Sequence, residues 1–148
     1  STSRGLGDVY KRQIINLLII SKVAFAETIQ IQFTADDSYS IEVAHIEVGD
    51  IIEWLPVNEG HNVEFFAGPE MNLLPETSEI DDFHSVVFKV SGVYLYGCTP
   101  HADMGMLGLI VVGNDCLNLE SIKNIQLSSV AKLVLHRFIE IAQSSSKS

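Results

Sequence analysis

A run of eleven residues, Tyr96-Gly97-Cys98-Thr99-Pro100-His101-Ala102-Asp103-Met104-Gly105-Met106, places one thiol, one imidazole and two thioethers between two apolar stretches. Sulfur donors of both kinds favour copper, and imidazole suits either of its common oxidation states. Two His and one Cys in a trigonal set, with a long axial Met, make the blue-copper pattern. The run supplies only one of the two imidazoles. His61, in Gly60-His61-Asn62-Val63-Glu64, follows one strand-like run and opens another, and it can arrive as the second.

Together, Gly60-His61-Asn62-Val63-Glu64 and Cys98-Thr99-Pro100-His101 with Met104-Gly105-Met106 resemble the pseudoazurins, periplasmic blue copper proteins of the cupredoxin family. The similarity runs from Ile29 to the C-terminus and includes a helical tail that plastocyanins lack. The resemblance implies that His61, Cys98, His101 and Met106 ligate one mononuclear copper ion cycling between Cu(II) and Cu(I), and that Met104 does not bind. It implies that Asn62 tethers the two ligand loops and donates its amide to the thiolate, and that the electron passes through the exposed edge of His101. A docking patch of Gly60, Pro100, Ala102, Met104 and Leu107 is implied around that edge. Pro100 lacks an N–H, which leaves one donor fewer for the sulfur and favours Cu(I). Asp103, close to His101 in sequence, pushes the other way and favours Cu(II).

The elements that must carry these residues are strands. Ile29-Gln30-Ile31-Gln32-Phe33 alternates apolar and polar, as a strand with one buried face does. Ala35-Asp36-Asp37-Ser38 reads as a turn, and a weaker alternation follows it to Val48. Ile51-Ile52-Glu53-Trp54-Leu55-Pro56-Val57 reads as a core strand that delivers His61 at its end. Residues 66–83, with Gly68, Pro69 and Pro75, show no period and should join the two halves of a sandwich across an edge. Two strands meeting at Ser91-Gly92, the ligand loop and a last strand to Val112 complete the pattern. The fold class is all-β, a cupredoxin Greek-key β-sandwich of about seven to eight strands over residues 27–113, with a two-helix C-terminal tail over residues 114–143. Asn118 or Asp115 caps a short helix and Ser128 or Ser129 a longer one, whose packing stripe is Val130, Leu133, Val134, Phe138 and Ile141. Residues 144–148 form a frayed tail.

The N-terminal part reads differently. Residues 1–13 show neither period and form a fragment or non-native prefix. Residues 14–26 have the outline of a secretory signal: the Lys11-Arg12 flank, an apolar stretch, and Ala24-Phe25-Ala26 before Glu27. A membrane anchor needs about 20 apolar residues, so export to the periplasm is the expectation, with no membrane attachment after cleavage.

A chain of 148 residues, 47% of them hydrophobic, fits one globular domain, expected to be monomeric. Beyond Ala26 there are 18 acidic and 5 basic residues, a net of −13, which disfavours nucleic acid and anionic membrane. The resemblance implies redox-protein partners, a c-type cytochrome or a copper nitrite reductase-like acceptor. Lysines commonly ring the patch in that family, whereas here the neighbours include Glu59, Glu64 and Asp103, so a basic docking face on the partner is expected. His45, His84 and His136 are expected to be solvated, Met71 to pack, and Cys116 to be a small hydrophobe or a free thiol. With every ligand position filled by protein, no enzyme is expected. Two other functions are compatible with the residues: a copper carrier or storage domain, and a metal-free interaction module.

Overall fold

The computed structural model describes residues 25–145 and, apart from them, Ile19. The expected prefix, nearly all of the expected signal and residues 146–148 lie outside the described residues. Among the described residues, seven strands form two sheets: β1 (Thr28–Gln32), β2 (Val43–Ile46), β3 (Ile51–Leu55), β4 (Glu64–Ala67), β5 (His84–Val87), β6 (Gly92–Gly97) and β7 (Leu107–Val112). One sheet has the order β1-β3-β5 and the other β2-β7-β6-β4. β1 runs parallel to β3 and β2 parallel to β7, while the remaining pairs are antiparallel.

Burial alternates along β1 and β3, with Ile31, Ile52 and Trp54 turned fully inward. Phe33, Tyr39, Phe65, Phe88, Tyr94 and Tyr96 join them between the sheets, each burial contributing about 1.5–3 kcal/mol. β6 and β7 are buried at every position. Their second face is covered by two helices, α1 (Leu119–Lys123) and α2 (Ser129–Ser145), so Val93, Leu95, Leu107, Leu109 and Val111 enter a second core.

The covering face of α2 matches the expected stripe at Phe138 and Val134 and differs from it elsewhere. Ala131, Leu135, Phe138, Ile139 and Ala142 are buried, whereas Leu133 is 74% exposed and Val130 and Ile141 also face water. The physical reason is close approach: alanine at two positions lets the helix sit down on the sheet, where larger aliphatics would hold it away. α2 also continues through Ser145, into the segment expected to fray.

The segment linking β4 to β5 does cross from one sheet to the other, with a short 3-10 turn at Met71–Leu73. It starts two residues later than expected, since Phe66 and Ala67 are inside β4. Met71 is 59% exposed, so it is not a packing residue. β5 and β6 meet near Ser91-Gly92 without pairing, because β5 belongs to the three-stranded sheet and β6 to the four-stranded one. His84 opens β5 half-buried, its ring 5.8 Å from that of Trp54, and burial lowers its pKa. It is therefore a packed histidine, unlike His45 and His136, which are exposed as expected.

Candidate metal centre

Two loops at one end of the sandwich bring the expected ligands together. The first leaves β3 after Leu55 and reaches β4 at Glu64, with His61 buried near its end. The second leaves β6 at Gly97 and returns as β7 at Leu107. It is wound tightly on itself: Ala102 and His101 N–H donate to Cys98 O at 2.7 and 3.1 Å, Met106 N–H donates to His101 O at 3.2 Å, and Cys98 N–H donates to Met106 O at 3.1 Å. Gly105 ends the 3-10 turn Ala102–Met104 at φ +103°, in the left-handed region that glycine enters without strain. A side chain there would come within 2.9 Å of Val134 on α2, and the Ser128 hydroxyl just before α2 donates to Asp103 O at 2.6 Å. The tail therefore braces the ligand loop as well as covering the sheet.

His61 Nδ1 and His101 Nδ1 lie 3.1 Å apart, and Cys98 Sγ lies 3.8 Å from the first and 3.5 Å from the second. All three donor atoms fall within 4.8 Å of one another. Cys98 and His61 are buried, while His101 is half-exposed. Met106 is 1% exposed and shares the core cluster of Cys98. Two imidazoles, a thiol and an enclosed thioether are a donor set that suits copper.

Burial, with His101 next to it, lowers the pKa of His61, partly opposed by the carboxylates of Asp37 and Asp81. A neutral imidazole is the metal-binding form, so this environment keeps His61 ready to ligate. Burial raises the Cys98 thiol, and the backbone amides of Asn62 and His101 act against it.

Asn62 is the tether between the loops. Its Oδ1 accepts from Thr99 N–H at 2.7 Å, and its Nδ2 donates to Thr99 Oγ1 at 2.8 Å and to Ser78 O at 3.3 Å. Asn62→Ala leaves the Thr99 amide unpaired and is expected to destabilise the copper-free protein by about 2 kcal/mol. Denaturant unfolding of the two proteins measures this, and equal midpoints would refute it.

Several residues that hold the site were not singled out from the sequence. Tyr39 donates its hydroxyl to Asn62 O at 2.7 Å, and Ser78 Oγ accepts from Val63 N–H at 2.9 Å. Asp81 Oδ1 accepts from Gly60 N–H at 2.6 Å, while its own N–H donates to His61 O at 2.9 Å. Asp37 lies 3.6 Å from His61 Nε2. The turn signal at residues 35–38 placed Asp37 on a loop but carried no sign of which loop it would face.

Of the expected docking residues, Pro100 and Met104 are exposed and Gly60 and Ala102 half-buried around His101. Leu107 does not belong to that patch: it is 0% exposed, because it opens β7 facing the helix-covered core. Asp36, Asp37, Glu59, Asp81, Asp82 and Asp103 are exposed on loops at this end, whereas Lys89 lies beyond β5 and Lys123, Lys132 and Arg137 belong to the helices.

The family model for copper binding proteins of the plastocyanin/azurin type matches residues 27–113. A pseudoazurin of Methylorubrum extorquens is 36% identical over 89 residues, covering 57% of this chain and 57% of its own length. A pseudoazurin of Paracoccus pantotrophus is 34% identical over 91 residues, covering 58% and 60%. The chain thus spans under two thirds of these relatives' lengths. The crystal structure of pseudoazurin from Methylobacterium extorquens AM1 superposes with a TM-score of 0.70 at 28% identity, covering 77% of this chain and 98% of that one. With the model spanning the whole sandwich and the donor set gathered at one end of it, the chain belongs to the plastocyanin/azurin family of copper-binding proteins.

Proposed function

We propose that the chain is an exported electron carrier holding one copper ion at His61 Nδ1, Cys98 Sγ, His101 Nδ1 and the Met106 thioether. The observation that carries this reading is the convergence of three donor atoms within 4.8 Å, contributed by two separate loops. A copper ion bound there supplies a centre that alternates between Cu(II) and Cu(I). The two oxidation states prefer different geometries, so a site that relaxed at every transfer would be slow. The chain counters this by holding the donors still, through the Asn62 tether, the tightly wound loop and the brace of α2.

His101 is the half-exposed ligand, and the electron enters and leaves at its edge, within the patch of Gly60, Pro100, Ala102 and Met104. A small patch of this kind gives weak, short-lived docking. The acidic loops around it favour a redox partner with a basic face, such as a c-type cytochrome, over one that presents carboxylates. The signal pattern at residues 14–26 supports a periplasmic location. Among the described residues, no helix is long and apolar enough to cross a membrane.

The test begins with colour. Protein loaded with Cu(II) should become intensely coloured, bleach on reduction and recover on reoxidation, and hold its copper against a chelator. Rapid loss to the chelator would favour metal delivery instead. Electron transfer to a basic acceptor should slow as salt rises, and transfer to an acidic one should quicken. A rate with the basic acceptor that rises with salt removes the partner assignment.

A further inference from the structure

The two ring nitrogens of His61 have different neighbours. Nδ1 faces His101 Nδ1 and Cys98 Sγ, while Nε2 lies 3.6 Å from Asp37 Oδ1. Asp37 stands at φ +52°, a left-handed backbone that Asp tolerates better than most residues. Its turn is closed beneath it: Thr34 N–H donates to Ser38 O at 2.9 Å, the Thr34 and Ser38 hydroxyls are 2.7 Å apart, and Phe33 and Tyr39 bridge the base. The same hairpin grips the ligand segment twice more. Phe33 meets the His61 ring edge-on at 5.9 Å, and the Tyr39 hydroxyl donates to Asn62 O. A turn anchored in the core thus brings the carboxylate to the far side of a ligand imidazole.

Asp81, the other carboxylate at this segment, has a different task. Its Oδ1 accepts the amides of Gly60 and His61 at 2.6 and 3.4 Å, so it fixes backbone, whereas Asp37 faces the ring.

We propose that Asp37 is a positioning residue for His61: its carboxylate selects the tautomer protonated at Nε2, leaves the Nδ1 lone pair for copper, and favours Cu(II) over Cu(I). Carboxylates on the far nitrogen of ligand imidazoles fix the ring and raise its basicity. A more basic ligand stabilises the more highly charged ion, so the reduction potential is lower with Asp37 than without it. The Asp37 side chain is 55% exposed, and salt therefore screens part of the effect. The inference rests on the copper reading above.

Asp37→Asn removes the charge and keeps an acceptor; Asp37→Gly removes the side chain and suits the left-handed backbone. Asp36→Asn, one residue away, controls for net charge. Nitrogen NMR of the copper-free proteins reads the His61 tautomer, and voltammetry of the loaded proteins reads the potential. The parent should hold the proton on Nε2 and Asp37→Gly should show a mixture. Both Asp37 variants should have raised potentials, Asp36→Asn should match the parent, and the differences should shrink with salt. Asp37→Gly should also bind Cu(II) about ten-fold more weakly. An unchanged tautomer in Asp37→Gly, or a potential shift no larger than that of Asp36→Asn, overturns the proposal. The tautomer is measured without copper, so a parent protein that took up no copper would sink the functional reading alone and leave this test standing.

Discussion

Cys98→Ser should abolish the intense visible absorption of the Cu(II)-loaded protein and weaken copper binding by more than about 100-fold, beyond what losing a partner outside the ligand set costs. The absorption depends on charge transfer between copper and thiolate, and a serine hydroxyl offers neither the soft donor nor a readily deprotonated one. The fold should survive, because serine is close in shape and the loop is closed by backbone bonds from Cys98 N–H to Met106 O and from Ala102 N–H to Cys98 O. Optical titration with Cu(II) checks the colour, and thermal melting of the copper-free protein checks the fold. A variant that kept both colour and affinity would exclude Cys98 as a ligand. Cys116 serves as the comparison: it is half-buried against the helix-covered core, and its replacement by serine should leave the colour intact.

The second large effect concerns support rather than ligation. Gly108 lies on β7 opposite Tyr96 on β6, and a Cβ at position 108 would overlap the hydroxyl-bearing edge of the Tyr96 ring at Cζ and Cε1. Tyr96 is fully buried, packed between Tyr39, Trp54 and Phe65, and has nowhere to retreat. Gly108→Ala should therefore cost about 3 kcal/mol through overpacking, which lowers the melting temperature by roughly 10 °C. Because β6 and β7 flank the ligand loop, the same substitution should also disturb the colour of the loaded protein. Melting curves measure the first effect and the absorption spectrum the second. An alanine variant as stable as the parent would mean that the ring can move aside.

These two substitutions separate what the site is made of from what keeps it in place. Removing the thiol leaves a folded protein without the chemistry, while crowding Tyr96 leaves every donor present on a weakened frame. Rapid transfer depends on both, since the donors must keep their places as the charge on the ion changes. The frame includes α2, because Gly105 passes under Val134 and Ser128 bonds back to Asp103.

The ligand residues were legible in the sequence because soft donors are scarce and their spacing is chemically restrictive. One thiol, one imidazole and two thioethers within nine residues, with a second His at a strand end, leave few other uses. β1 was legible because a half-buried strand must alternate, and β3 because Trp54 beside β-branched residues suits a core strand. Partner strands in space were not legible, since pairing β5 with β3 rather than with β6 is a choice of sheet that period alone does not encode. The buried face of α2 was legible only at Phe138 and Val134 for a related reason: Val130, Leu133 and Ile141 are more hydrophobic, yet the small Ala131 and Ala142 are the residues that turn inward. Asp37, Asp81 and Tyr39 could not be recognised as parts of the site, because a carboxylate or hydroxyl acquires a role only when folding brings it to a particular nitrogen, amide or carbonyl. The donor set was thus written in residue type, which is local, whereas the company each donor keeps depends on contacts between segments far apart in sequence, which only the tertiary structure decides.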